Sequence, residues 1–354
     1  MNAPIQYPKI MPSDLFLQGI MQPNYDLQFS VIFERRTMKE IKTLGIDLGG
    51  TKVETALIDE RGRVLSSHRE PTHPDRGPKR IIDDIVNCID KCLDKGAGRA
   101  TALGIGVAGQ VDKEGVVRAS PNLGWTDVPL KSLLEAKTGL PVAVINDVRA
   151  ALWGEWRHGA GRGTDDLVVV FVGTGIGGGV VSGGRVLEGC GNAAGELGHM
   201  VIVRDGRKCH CPNHGCLEAY AGGWAIAERA QASVRSDPVA GQRLVSLAGS
   251  VEDITAETVA RAFGAQDALA RRLIEETADL LGQGLVGVVN AFNPCRLVLG
   301  GGVIEGLPEM ISIIEKTVRS RALEAASEGL MIVRAALGTQ AGTIGAAALA
   351  RERT

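Results

Sequence analysis

The sequence predicts an α/β protein of two related halves, each opening on a strand, a glycine turn and a returning strand. Three observations carry this. Residues 43–47, then Leu48-Gly49-Gly50-Thr51-Lys52, then 53–58 form one such unit; 167–172, then 173–179, then Val180-Val181 form a second, so the device recurs as an internal repeat. Residues 141–145 are apolar throughout, the pattern of a strand covered on both faces in a parallel sheet. Helical segments, with apolar residues every three or four positions, stand between the strands.

In chain order, Asp59-Glu60-Arg61-Gly62 turns the first unit into a third strand at Val64-Leu65-Ser66, completing a meander. Ile81, Ile82, Ile85, Cys88, Ile89 and Cys92 mark one face of a helix, and 103–107 is the next strand. The apolar strand at 141–145 ends in Asn146-Asp147 and runs into a helix with Ala151, Leu152, Glu155 and Trp156. Past Gly159-Ala160-Gly161 the second unit begins, and Gly183-Gly184 turns its hairpin. A long helix follows from about 267 to 292, with Leu273, Leu281, Leu285, Val288 and Phe292 on one face; Asn293-Pro294 stops it. The strand 296–299 enters Gly300-Gly301-Gly302, and 342–351 is Ala-rich and helical. Two domains are therefore expected: an N-terminal lobe over 41–157, with helix 341–354 packed back on it, and a C-terminal lobe over 158–340. Residues 1–40 carry Pro4, Pro8, Pro12 and Pro23 with little periodicity, and are expected to be a disordered extension or an over-long translation start.

The totals narrow the function. With 354 residues, 44% hydrophobic and 23% charged, the chain reads as a soluble globular protein; a formal net charge of −2 gives no general pull toward nucleic acid or anionic membrane. No apolar run spans a bilayer. The seven cysteines are an odd number, and Cys88 and Cys92, one helical turn apart, read as packing; a reducing cytoplasm fits this usage.

The strongest chemical signal lies between Gly195 and Glu218. His199, Cys209, Cys211 and Cys216 supply one imidazole and three thiolates, the ligand set of a closed tetrahedral Zn²⁺ site. The competing reading is three buried cysteines and a solvated histidine. His210 and His214 compete for the fourth position, but each sits inside the tight thiolate loop. Four protein ligands leave no open coordination position, so this zinc is structural. The loop 199–216 would draw Glu196 and Glu218 toward one wall.

Two stretches match G-x-G-x-x-G: Gly104, Gly106, Gly109, and Gly173, Gly175, Gly178. Neither opens a helix, so no helix N-terminus receives a pyrophosphate and the dinucleotide mechanism fails. Glycine hairpins still present backbone N–H groups to phosphate oxygens, because no Cβ blocks the approach. Two of them, one per half, suit a triphosphate gripped between them; a tight bend in a packed sheet is the alternative for 173–179. Asp147 ends an apolar strand, where open α/β sheets place their sites; it reads as a catalytic base or as the N-cap of the next helix. Lys52 reads equally as a phosphate cation or a solvated strand-end charge.

Asp47-Leu48-Gly49-Gly50-Thr51-Lys52, Asn146-Asp147, the glycines of 173–179, Gly195-Glu196-Leu197-Gly198-His199, the cysteine loop with Glu218, and Gly300-Gly301-Gly302-Val303 together resemble the ROK family of sugar kinases and related repressors. The likeness spans about residues 41 to 350, and the cysteine loop is its most specific part. Pro212 stands where the family usually has Gly, and the charged stretch 204–208 varies in length. The resemblance implies a two-lobed actin-like ATPase fold of ribonuclease H-like type, with the zinc-binding loop in the second lobe. It implies an ATP-dependent transfer to a hexose's primary hydroxyl, glucose first, with fructose, mannose, N-acetylglucosamine or N-acetylmannosamine as alternatives. Asp147 would be the base, and Asn122, Asn146, Asp147, Glu196, His199 and Glu218 would bind the sugar. Asp47 would lie near Mg²⁺. Gly49, Gly50, Thr51 and Lys52 would hold phosphates opposite Gly173, Thr174, Gly175, Gly177 and Gly178, while Gly301 and Gly302 pass beside the adenosine. A homodimer or homotetramer is implied too. The family's repressor branch needs an N-terminal winged helix-turn-helix, for which residues 1–40 are too short and too rich in proline.

Overall fold

Strand β1 (Lys42–Leu48) buries Leu44, Ile46 and Leu48 completely and pairs antiparallel with β2 (Lys52–Asp59) across the first glycine turn. The computed structural model describes residues 41–95 and 98–353; the expected extension, residues 1–40, lies outside the described residues. Strand β3 (Val64–Pro71) continues the meander, and α1 (Gly77–Leu93) lays its buried face of Ile81, Ile82, Ile85, Cys88, Ile89 and Cys92 against β2 and β3. Both cysteines are thus packing residues, as their helical spacing indicated. Strand β4 (Ala102–Val107) runs parallel to β1. A small sheet of β5 (Gln110–Val111), β6 (Val117–Ser120) and β7 (Trp125–Val128) follows. Helix α2 (Leu130–Thr138) then leads to β8 (Val142–Asn146), parallel to β4, and α3 (Asp147–Arg157). The first large sheet has the order β3-β2-β1-β4-β8.

The second large sheet repeats much of this plan. Strand β9 (Leu167–Val172) pairs antiparallel with β10 (Ile176–Ser182), which pairs with β11 (Arg185–Val186). Here the structure corrects the sequence reading. The glycine run 173–179 is not all turn, because Gly177, Gly178 and Gly179 lie inside β10. They are glycines for packing reasons: a Cβ on them would meet Val148, Leu197 and Leu152 at 2.5, 2.6 and 2.7 Å. Short α4 (Glu218–Ala221) is followed by α5 (Gly223–Ser236), α6 (Gln242–Ala248) and α7 (Ala256–Gly264). The long α8 (Ala268–Phe292) is capped by Asp267, whose carboxylate accepts from the Ala270 N–H, and stops at Asn293 in the left-handed region. Strand β12 (Arg296–Gly300), α9 (Gly302–Gly306), α10 (Met310–Arg321), α11 (Glu324–Ser327), β13 (Met331–Arg334) and α12 (Ala341–Arg353) complete the chain. The second sheet has the order β11-β10-β9-β12-β13. Among the described residues no helix is long and apolar enough to cross a membrane.

Helix α12 owes its composition to what it touches. It packs on β1, β4 and α3, and a Cβ at Gly45 or Gly104 would fall 1.9 or 1.8 Å from its Thr343 or Ala346 carbonyl oxygen. Only glycine in the strands lets the two backbones approach this closely. One core joins Ile145 of β8, Val169 of β9 and Val298 of β12 through Leu152, Trp153 and Trp156 of α3 and Leu349 of α12.

A polar clamp reinforces that junction. Glu155 of α3 is fully buried, and its carboxyl accepts from the backbone N–H of Ala160 (2.8 Å), Ala336 (3.0 Å) and Leu337 (2.8 Å). Alanine at 155 removes the shared acceptor of three part-buried backbone donors, at roughly 1–3 kcal/mol for each that solvent does not reach. Urea unfolding of Glu155→Ala is therefore expected to show a loss of about 3 kcal/mol or more. A loss under about 1 kcal/mol would mean that solvent reaches these donors.

Candidate functional site

Register places two acids together. Asp47 of β1 lies opposite Gly106 of β4, and Gly106 opposite Ile145 of β8, so Asp47 and Asp147 stand at the C-terminal ends of parallel strands flanking β4. Burial, the nearby Asp147 carboxylate second, pushes the Asp47 carboxyl up to about 6, with Lys52 opposing. Burial also raises Asp147, against the Val148 N–H and the Asn146 amide that donate to its Oδ1. The N-cap of α3 is Asn146 rather than Asp147: Asn146 Oδ1 accepts from the Arg149 N–H at 3.2 Å. Asn146 also donates to the Gly109 carbonyl at 3.1 Å, so its side chain holds the backbone around Asp147.

The first glycine turn closes through the Gly49 N–H on the Lys52 carbonyl (2.9 Å), and Thr51 accepts from the Thr72 N–H (3.0 Å). Gly50 packs on the Asn122 backbone, where a Cβ would come within 2.7 Å of the carbonyl oxygen. Asn122 is exposed beside that turn. Lys52 opens β2 and pairs with Glu54 at 3.6 Å.

The second turn is tied to α5: the Gly223 N–H donates to Gly173 O (2.9 Å) and the Trp224 N–H to Thr174 O (3.1 Å). Gly301, at φ +88°, sits 2.5 Å short of the Val172 carbonyl for any Cβ, and Gly302 starts α9. Gly173, Gly223 and Gly302 face a cavity of about 770 Å³ lined also by Thr174, Trp224, Thr255 and Val303, among others. That volume is of the size small-molecule and cofactor sites take. Trp224 and Thr255 were not read as site residues from the sequence. The capping box of Thr255 with Thr258 at the start of α7 was the one legible signal there.

The four ligand candidates converge. The ring and sulfur atoms of His199, Cys209, Cys211 and Cys216 lie within 4.8 Å of one another. His199 Nδ1 is 3.8 Å from Cys209 Sγ, and the Cys211 and Cys216 sulfurs are 3.6 Å apart. A tetrahedron with bonds of about 2.3 Å has edges of about 3.8 Å, so the cluster fits Zn²⁺. Burial, then the Cys211 thiol, pushes Cys216 up to about 12, and burial raises Cys209 as well; the Asn213 N–H holds Cys211 down. Neither competing histidine joins the cluster: His210 stacks on Trp224 and His214 is exposed.

The flanking acids part company. Glu196 is exposed beside the short turn of Leu197–His199. Glu218 instead reaches across to the second glycine turn: its Oε2 accepts from the Ile176 N–H at 2.8 Å and its Oε1 from the Trp224 indole at 3.3 Å. One further residue was missed. Arg149, only 5% exposed, donates from Nη1 to Asn192 O (2.9 Å) and Oδ1 (2.7 Å), and Asn192 donates to Val111 O (2.7 Å). Its Nε and Nη2 have no hydrogen-bond partner among the described residues.

A model of the ROK family matches residues 43–353. A glucokinase of Streptomyces coelicolor is 34% identical over 313 residues, covering 88% of this chain and 98% of its own. A crystal structure of a ROK family glucokinase from Streptomyces griseus in complex with glucose and AMPPNP is 37% identical, with a TM-score of 0.76 over 88% of this chain and 99% of that one. An N-acetylmannosamine kinase of Escherichia coli is also similar, 34% identical over 312 residues, 87% of this chain and 98% of its own.

Proposed function

The chain belongs to the ROK family, and from that premise we propose that it is an ATP-dependent sugar kinase acting on the primary hydroxyl of a hexose, glucose first. The observation that carries this reading is the carboxylate pair, Asp47 with Asp147, at the C-terminal ends of the parallel strands beside the first glycine turn. A sugar hydroxyl is a poor nucleophile, and Asp147 serves as the group that accepts its proton as the phosphoryl group arrives. A carboxylate raised by burial, with the Val148 N–H and the Asn146 amide opposing that rise, suits that task.

Asp47 fits a different task. An enclosed acid raised by a second carboxylate marks a local excess of negative charge, which suits it to a hydrated Mg²⁺. That cation, when bound with the nucleotide, supplies charge neutralisation for the phosphates. The cavity beside Gly173, Thr174, Gly301 and Gly302 takes the nucleoside in this reading, and both glycine turns present backbone N–H groups to the phosphates. The phosphate roles of Gly177 and Gly178 are set aside, since both lie in β10. Lys52 is left as a strand-end charge paired with Glu54.

The hexose wall is assigned to Asn122, Asn146, Glu196, His199 and Glu218. With Nδ1 turned to the sulfurs, His199 keeps Nε2 for a sugar hydroxyl, and Zn²⁺ when bound would fix the loop that both glutamates flank. We also read the two sheets as the cores of two actin-like lobes, 41–157 and 158–340, with α12 returned to the first; its contacts with β1 and β4 support this.

Initial rates with MgATP test the proposal on glucose, mannose, fructose, N-acetylglucosamine and N-acetylmannosamine. Glucose is expected to give the highest kcat/KM. The N-acetylmannosamine kinase relative, with the same identity as the glucokinase, makes the acetamido sugars the necessary comparison. ADP release no faster than that of Asp147→Asn on every sugar would overturn the reading.

A further inference from the structure

We propose that Trp224 is a positioning residue that couples the hexose wall to the nucleotide cavity, making the binding of the two substrates mutually favourable. The inference rests on the assignment of those two sites given above. It starts from how many separate features one indole meets. Trp224 is the second residue of α5, and its backbone N–H is fixed on Thr174 of the second glycine turn. Its side chain forms part of the wall of the 770 Å³ cavity. Its Nε1–H donates to Glu218 Oε1 at 3.3 Å. Its ring stacks on His210 with centroids 4.0 Å apart and planes 19° from parallel.

His210 stands between the ligand candidates Cys209 and Cys211, so the stack joins the indole to the metal loop. The two oxygens of Glu218 are held unequally. Oε2 takes the Ile176 N–H at 2.8 Å, while the indole bond to Oε1 is the longer one. The orientation of Oε1, the acceptor a sugar hydroxyl would use, therefore depends on where the indole sits. A nucleoside packed in the cavity restrains that indole, and the restrained N–H holds Glu218 ready for the sugar. Linkage makes the effect reciprocal: a sugar that fixes Glu218 also fixes the cavity wall.

Titration of the holoprotein with glucose, with and without a non-hydrolysable ATP analogue and Mg²⁺, measures the coupling directly. In the native chain the analogue is expected to tighten glucose binding by about fivefold or more. Trp224→Phe keeps a ring against His210 and the cavity but removes the N–H to Glu218. Its coupling, the ratio of glucose affinities with and without the analogue in the variant itself, is expected to fall to within about twofold of none. A variant altered only in general packing would lose affinity for both ligands and lower its thermal midpoint, which is measured on the same sample. Native coupling retained in Trp224→Phe, or no coupling in a native chain that turns over hexose, would overturn the proposal alone. A native chain with no hexose turnover would overturn the functional reading with it.

Discussion

Asp147→Asn is expected to lower kcat about 10²–10⁴-fold, with a much smaller change in hexose KM. Asparagine keeps the shape and the bond from the Val148 N–H, but it cannot take a proton from the attacking hydroxyl. Rate and binding should therefore separate, as they do when an interaction is made chiefly in the transition state. The pH profile adds a second check. Asp47 is raised to about 6, by burial first and by Asp147 second, so loss of the Asp47 charge should lower native kcat/KM as pH drops through about 6. Stability must move the opposite way. An acid whose folded pKa is raised opposes folding when ionised; for Asp47 that cost is full above about pH 6 and is relieved as pH falls toward the ordinary aspartate value of 3.8. The rise from 3.8 to about 6 limits it to about 3 kcal/mol. Removing the Asp147 charge relieves part of it, so the variant should unfold at pH 8 no more easily than the native chain. A kcat loss under about tenfold would leave Asp147 as a strand-end carboxylate with no role as base.

The legibility of this site followed the distance over which each signal acts. The strands β1, β2 and β9 were readable because apolar runs bounded by glycine are local signals, and the ligand set because three cysteines and a histidine have few other common uses. The cap alternative offered for Asp147 belongs to Asn146 one position earlier, since either side chain caps a helix equally well by propensity. Gly177 and Gly178 misled for a related reason: a glycine forced by a neighbour's side chain looks the same in sequence as one forced by a turn. What stayed invisible are the long-range pairs. Arg149 meets Asn192 across 43 residues, and Glu218 meets Ile176 across 42, which no periodicity encodes. The indole of Trp224 had no local pattern at all to mark it as a cavity wall.

Removing the metal, by chelation or by Cys216→Ser, is expected to lower hexose kcat/KM by about 10²-fold or more, although no metal ligand takes part in the transfer. The reason is geometric. Cys216 is fully buried two residues before Glu218, and the bridge from Val201 to Cys216 closes the loop that carries Cys209 and Cys211, with His199 and Glu196 just before it. Without a cation burial keeps the protons on Cys209 and Cys216, the latter pushed up to about 12, and no ion ties together the three sulfurs and the imidazole. Both glutamates then lose their anchor at once, and a displacement of about 1 Å in a positioning group can cost about 10²-fold. The bond from Glu218 to Ile176 carries the disturbance into the second glycine turn, so ATP KM should rise as well. Metal content by mass spectrometry or atomic absorption, read beside the kinetics, settles the matter. About one zinc per native chain and little in Cys216→Ser is the expected pattern. A purified native chain with full activity and no zinc would show that the cluster is held by packing alone, and the hexose wall would need another origin for its rigidity.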